Sequence, residues 1–189
     1  MALSNTHSEI KLLLARNDFM VDEDSSKATQ VEFNLIASGL GILSEYHKTF
    51  AKTLEKMIGS PEEKKKEDNW NLKTKEMFFT AFKEAYNMYG NSNAVIVYIV
   101  DQGQNTFSQE AMIPWLIDAG IPVRKYLFEE LEDLLEYNET DGRISILDEE
   151  VALFYFRNGY MPHQYTEKTW ELREKIEKSK AIKCPDVFA

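Results

Sequence analysis

Residues 93–101, "NAVIVYIVD", hold seven consecutive apolar residues, Ala94 to Val100, between an Asn and an Asp. A short apolar run rich in β-branched side chains reads as a strand. Its flanking segments set it in an α/β layer. "KTKEMFFTAFKEAYNMYG" (73–90) before it has helical spacing, with Met77, Phe78, Phe82, Tyr86 and Met88 largely to one side. After the polar loop "QGQNTF" comes "SQEAMIPWLIDAG" (108–120), which predicts a helix with Ser108 as N-cap and Gly120 as C-cap. "PVRKYLF" (122–128) reads as a strand, "EELEDLLEY" (129–137) as an acidic helix, and "DGRISILDEEVALFYFR" (141–157) as a hairpin turning at Leu147, Asp148 and Glu149. The alternation predicts an open, mostly parallel α/β sheet flanked by helices.

Towards the N-terminus the pattern changes. "IKLLLA" (10–15) and "TQVEFNLI" (29–36), joined by a segment containing "DEDSSKA", predict a β-hairpin. "LGILSEYHKTFAKTLEKMIG" (40–59) follows as a helix ended by Gly59, and "SPEEKKKEDNW" as a charged, solvated loop. The division expected is residues 1–70 for hairpin and helix, and 71–189 for the α/β domain.

The chain has 189 residues, 22 Lys and Arg against 32 Asp and Glu, and a net charge of -10. That balance argues against broad attraction to nucleic acid or anionic lipid, so an anionic ligand must be held by local basic residues. Cys184 is the one cysteine, which excludes an internal disulfide and a Cys-rich zinc site and fits a reducing, cytoplasmic setting. The N-terminus lacks a signal-peptide layout, and Ala94 to Val100 is too short to span a bilayer.

Ligands of open α/β sheets gather beyond the carboxyl ends of strands, which selects two loops. "DQGQNTFSQ" follows Asp101, and reads equally as a polar turn capping the next helix. "RNGYMPHQY" follows Phe156. There Arg157 offers a planar fork for a carboxylate and Tyr160 a hydroxyl on a rigid ring; a surface ion pair and core packing are the plainer alternatives. On a strand, Glu32 and Asn34 share a face and form an oxygen-ligand pair suited to Mg²⁺, a weak signal alone, since an exposed pair of this kind is usually just solvated. No phosphate-binding glycine loop is present, and the three histidines lack metal-ligand spacing.

"VEFNLIASGLG" (31–41), "YFRNGYMPHQY" (155–165) and "AIKCPD" (181–186), with "RNDFM" (16–20) and "QNTFSQ" (104–109), resemble in order and rough spacing segments of the eukaryotic glutathione synthase family of ATP-grasp ligases. The resemblance implies ATP-dependent ligation of glycine to γ-glutamylcysteine through an acyl phosphate. It implies that Glu32 and Asn34 hold Mg²⁺ against ATP and that Met20 lies near the nucleotide. Arg16 would touch the peptide substrate and the reacting centre, and Asn105, Gln109, Arg157 and Tyr160 would clasp the dipeptide. A homodimer is implied for the complete protein, and the hairpin would belong to the ATP-grasp part. Where the family has two serines and a glutamate facing substrate, this chain has Ala37, Gly39 and Gly103. The family's glycine-rich ATP clamp follows its "KCPD" segment, so these 189 residues are expected to be inactive alone. A synthase-like paralogue acting as a binding protein is the alternative.

Overall fold

The computed structural model describes residues 8–36, 40–58, 73–103 and 106–187. A two-stranded antiparallel sheet comes first, from β1 (Arg16–Val21) and β2 (Ala28–Asn34). Helices α1 (Leu40–Ile58) and α2 (Thr74–Tyr89) follow, then β3 (Val95–Ile99), α3 (Thr106–Glu110), α4 (Ile113–Asp118) and β4 (Val123–Tyr126). The remainder is β5 (Leu135–Tyr137), β6 (Ile144–Ile146), β7 (Glu149–Phe156), α5 (Glu167–Lys178) and β8 (Ile182–Cys184).

Strands β4, β3, β7, β6 and β5 lie side by side in that order, and β8 pairs with the end of β7. Pairs β3–β4, β3–β7 and β7–β8 are parallel; the β5–β6–β7 meander is antiparallel. Strand β7 thus serves two neighbours on one side: Glu149 and Glu150 pair with β6, after which Leu153 to Tyr155 pair with β8. The hairpin between β6 and β7 turns through Leu147 (φ 49°) and Asp148 (φ 65°), both left-handed as a two-residue turn of this hand requires.

Because β3 is apolar throughout, its side chains feed two cores. Ile96, Tyr98 and Val100 meet Leu153 and Tyr155, together with Phe82 and Tyr86 of α2 and Leu116 of α4. Val95, Val97 and Ile99 meet Phe154 and Phe156 on the other face, with Phe128, Leu131 and, from α5, Leu172 and Ile176. The strand expected at "NAVIVYIVD" is thus present, and the structure covers it on both faces.

Four expectations are corrected. The first strand is Arg16–Val21 and not 10–15. Residues 8–15 do alternate, with Ser8 and Leu14 buried and Ile10 and Leu12 packed on the core, but none belongs to a strand. Alternation there records which side faces the core; pairing falls to the next segment. The helix expected over 108–120 is two short helices. Pro114 lacks an N–H and its ring crowds the carbonyl four residues back, at the end of α3. Because α3 begins at Thr106, Ser108 sits inside it, and the C-cap of α4 is Ala119, with Gly120 (φ 79°) just beyond. The acidic helix over 129–137 is a single 3-10 turn, Glu129–Glu132, followed by β5. Burial of Phe128 and Leu131 against Ile144 and Ile146, and pairing of β5 with β6, override helix propensity there.

Candidate functional site

Strands β3 and β7 run parallel with Ile99 opposite Phe156, so their carboxyl ends leave the sheet side by side. Pairing extends one residue further, since the Arg157 N–H donates to the Ile99 carbonyl at 2.8 Å. Arg157 is only 4% exposed. Its Nη1 donates to the Tyr155 hydroxyl at 3.3 Å and its Nη2 to the Ser108 Oγ at 3.1 Å, whereas its Nε is buried and has no partner among the described residues. Tyr155 is itself wedged edge-on against Phe82 and Tyr98, at ring separations of 4.9 and 5.0 Å. A buried cation held by two neutral hydroxyls is aimed but not neutralised, which leaves it strongly disposed towards an anion.

Gln109, the residue after Ser108, is 3% exposed and donates its Nε2 to Asp101 Oδ1 at the end of the β3 segment. Asn105 lies outside the described residues, as do Ala37 and Gly39. Gly103 is exposed, and nothing stands within 4 Å of where a Cβ would be.

The loop after Arg157 is built by Gln164, whose Oε1 accepts from three successive N–H groups, Gly159 (3.2 Å), Tyr160 (2.9 Å) and Met161 (2.9 Å). Gly159 has φ 90°, and a Cβ there would stand 2.5 Å from the Tyr165 hydroxyl and 2.8 Å from a Phe128 ring carbon. The loop therefore needs glycine for its conformation and for its close packing. It leaves Tyr160 45% exposed on the surface beside the site.

On the hairpin, Arg16 pairs with Asn34 and Asp18 with Glu32 across the strands. Arg16 grips Asp18 bidentately, through Nε and Nη2 at 2.7 Å each, and reaches Glu32 Oε1 at 3.4 Å. The Asn34 Nδ2 donates to the same Glu32 oxygen at 2.8 Å and to Asp18 Oδ2 at 3.3 Å. Hydrogen bonding to Arg16 is the main reason that Asp18 is held below the usual carboxylate range and the Arg16 guanidinium above its own. Among the described residues no set of three or more His, Cys, Asp and Glu could hold a metal. The oxygens of Glu32, Asn34 and Asp18 nevertheless form a hard donor set of the kind Mg²⁺ accepts with water and phosphate. Met20, on β1, is 67% exposed.

A cavity of about 450 Å³ lies beside the hairpin; of the groups above, Asn34 and Gly159 line it, whereas Arg157, Gln109 and Glu32 do not. Phe33, Asn34 and Ile36 line one wall, and Gly159, Trp170 and Asp186 are among the residues of the other. Trp170 lies flat on Tyr165 with ring centroids 3.8 Å apart, so this wall is aromatic. Cys184 contributes no nucleophile: burial pushes its thiol up to about 12.

Three residues at the site escape a sequence reading: Ser108, read as a cap, which holds Arg157; Asp101, which engages Gln109; and Asp18, opposite Glu32. Their signals were faint. Asp18 lies two residues from Arg16, hence on its face of a strand, once β1 is known to begin at 16.

A buried arginine at the strand ends of an α/β sheet, and an oxygen-rich hairpin beside a cavity, offer a cation and hard oxygen donors of the kind that suit small anionic ligands. Two family models are more specific: "Eukaryotic glutathione synthase" matches residues 94–189 and "Eukaryotic glutathione synthase, ATP binding domain" matches residues 1–126. The chain belongs to the eukaryotic glutathione synthase family. It is 33% identical to a glutathione synthetase of Mus musculus over 92% of its own length, and 33% identical to a chloroplastic glutathione synthetase of Solanum lycopersicum over 97%. It spans 37% and 34% of those relatives. A glutathione synthetase-like effector from Globodera pallida shares the fold, with a TM-score of 0.69 at 19% identity, over 95% of this chain and 42% of that one. Among the described residues no helix is long and apolar enough to cross a membrane.

Proposed function

We propose that the chain carries the γ-glutamylcysteine-binding part of a glutathione synthase and one edge of its Mg-ATP site. In this reading the reaction is ATP-dependent ligation of glycine to the dipeptide through an acyl phosphate. Arg157, with Gln109, Tyr160 and Asn105, clasps the dipeptide; Glu32 and Asn34 hold Mg²⁺; Met20 borders the nucleotide; and Arg16 lies between metal and substrate. Residues 1–70 form the nucleotide-side part and residues 71–189 the substrate-binding part. In keeping with that division, β1 and β2 form a sheet of their own and the six-stranded sheet begins at β3.

The observation that carries the reading is Arg157, buried at the end of β7 with its Nε unpartnered among the described residues; Asn34 of the hairpin and Gly159, two residues beyond Arg157, line one cavity. Phosphoryl transfer to a carboxylate depends on positioning and charge stabilisation, so the metal pair and the carboxylate-binding arginine must face one space. Bound there, Mg²⁺ would neutralise phosphate charge.

The test is tripeptide formation by the whole protein from γ-glutamylcysteine, glycine and Mg-ATP. Glu32→Gln is expected to lower turnover by about a hundredfold or more while changing dipeptide affinity less than about threefold. Turnover unaffected by the substitution would contradict the metal assignment, and absence of tripeptide with every substrate present would contradict the reaction.

A further inference from the structure

Beside α5 lies a second cavity, of about 390 Å³, which shares Trp170, Arg173 and Val187 with the larger one. Four glutamates of the helix line it: Glu167, Glu171, Glu174 and Glu177. From the first to the last is about 15 Å of helix. Exposure falls along that line, for Glu167 and Glu171 are exposed, Glu174 is half-buried and Glu177 is only 1% exposed. The cavity is a groove that is acidic at its open end and has a buried carboxylate at the other.

At the buried end Arg173 sets two nitrogens on one oxygen, since Nε at 2.7 Å and Nη2 at 2.6 Å both reach Glu177 Oε1. A fork-to-fork pair would satisfy both oxygens, whereas here Oε2 is buried with no partner among the described residues. Lys183, the other cation whose charge bears on Glu177, donates to the Ser179 carbonyl instead. A buried carboxylate oxygen without a donor is costly, so the groove favours a ligand that brings one. Further out, Glu174 meets Lys178, while Glu167 and Glu171 form no ion pair among the described residues. Trp170, stacked on Tyr165 by one face, is 52% exposed and supplies an apolar wall together with Val187.

We propose that this groove takes a lysine side chain of a basic polypeptide partner, with the stem along Trp170 and Val187 and the ammonium on Glu177 Oε2. Further positive charges of the partner meet Glu171 and Glu167. One free oxygen suits a compact ammonium; the planar fork of an arginine wants two parallel acceptors, and Arg173 occupies the other oxygen. Apolar walls leading to a charged tip fit a four-carbon stem, and a cation close to an indole gains further attraction. A row of carboxylates about 15 Å long is too long for one small amine and matches about five residues of extended chain, which selects a polypeptide. Neither Arg157 nor Glu32 lines the groove, so a partner here is independent of how the dipeptide is bound.

The experiment is calorimetric titration of the protein at low ionic strength with a short peptide alternating lysine and serine, its Nε-acetylated form, its arginine counterpart and free n-butylamine. The lysine peptide is expected to bind about tenfold or more tighter than the acetylated one, the size of a charged hydrogen bond, and tighter than the arginine peptide or the amine. Binding should move the Trp170 indole N–H resonance, identified by its loss in Trp170→Phe. Glu171→Gln should weaken the lysine peptide about two- to fivefold, the size of an exposed ion pair, whereas Glu84→Gln, at an exposed position of α2, should leave it unchanged. Glu177→Gln should weaken it by about tenfold or more. That variant also deprives Arg173 of its partner, so its melting is followed in parallel, and Glu171→Gln decides the matter if it does not fold. Equal binding of the acetylated or the arginine peptide overturns the proposal. So does binding that leaves the indole unmoved, or that Glu84→Gln weakens as much as Glu171→Gln, since attraction to the net charge of -10 then explains it. n-Butylamine binding as tightly as the peptide overturns the polypeptide partner in favour of a small amine.

Discussion

Lys183 is 3% exposed on β8, and its Nζ donates to the Ser179 carbonyl at 2.9 Å, at the C-terminal end of α5. Desolvation lowers its pKa to about 8, with Glu177 opposing, from an ordinary value of 10.5. The folded state therefore releases this proton before the unfolded chain does. Between about pH 8 and 10.5 the unfolded chain binds more protons, so stability rises with pH, by at most about 1.4 kcal/mol per unit. Cys184 acts in the opposite sense: burial raises it from 9.0 to about 12, so its contribution falls above pH 9. The clean window is pH 8 to 9. Urea melts there should show stability rising for the wild type and staying flat for Lys183→Met; equal slopes would contradict the account. Among the site residues, Arg157 was legible because a cation at the end of an apolar strand has few bland explanations. Ser108 was not, because a serine opening an apolar helical run looks like a cap, whereas the helix begins two residues earlier, at Thr106, and Ser108 lies buried within it.

Helix α5 shows what periodicity misses at the scale of an element. Its inner face holds Leu172 and Ile176, but also Thr169, Arg173 and Glu177. Arg173 bonds Glu177 Oε1 from Nε at 2.7 Å and stacks its guanidinium 3.6 Å from the centre of the Phe156 ring. Half of a buried face made of polar residues carries no hydrophobic stripe, so neither α5 nor the three-residue β8 behind it was legible in the sequence. The start of α5 does carry a signal. Thr166 Oγ1 accepts from the Thr169 N–H at 3.2 Å, and Thr169 Oγ1 accepts from the Thr166 N–H at 2.7 Å, a reciprocal cap made by two threonines. Thr166→Ala should cost about 1 kcal/mol, read by denaturant melts. No loss would mean that the core, through Leu172 and Ile176, fixes the helix without its cap. Strand β3 was legible for the converse reason: buried on both faces, it is apolar at every position, as is Val151–Phe156 of β7 beside it.

For the whole molecule, the sequence yields the layer order and both halves of the site, because each is written in contiguous segments. The distance between those halves is not contiguous. Residues 33–36 and residues between 159 and 187 line one cavity, and its far wall depends on the packing of α5 and β8 against β7, neither of which periodicity reveals. The central claim is that this chain presents a buried, pre-aimed Arg157 to the carboxylate of a γ-glutamyl dipeptide. Calorimetric titration of γ-glutamylcysteine into the protein, wild type against Arg157→Lys, tests it most directly. Lysine keeps the charge but loses the planar fork that Tyr155 and Ser108 hold, so affinity should fall by about tenfold or more. Equal affinity in the two proteins would contradict the claim.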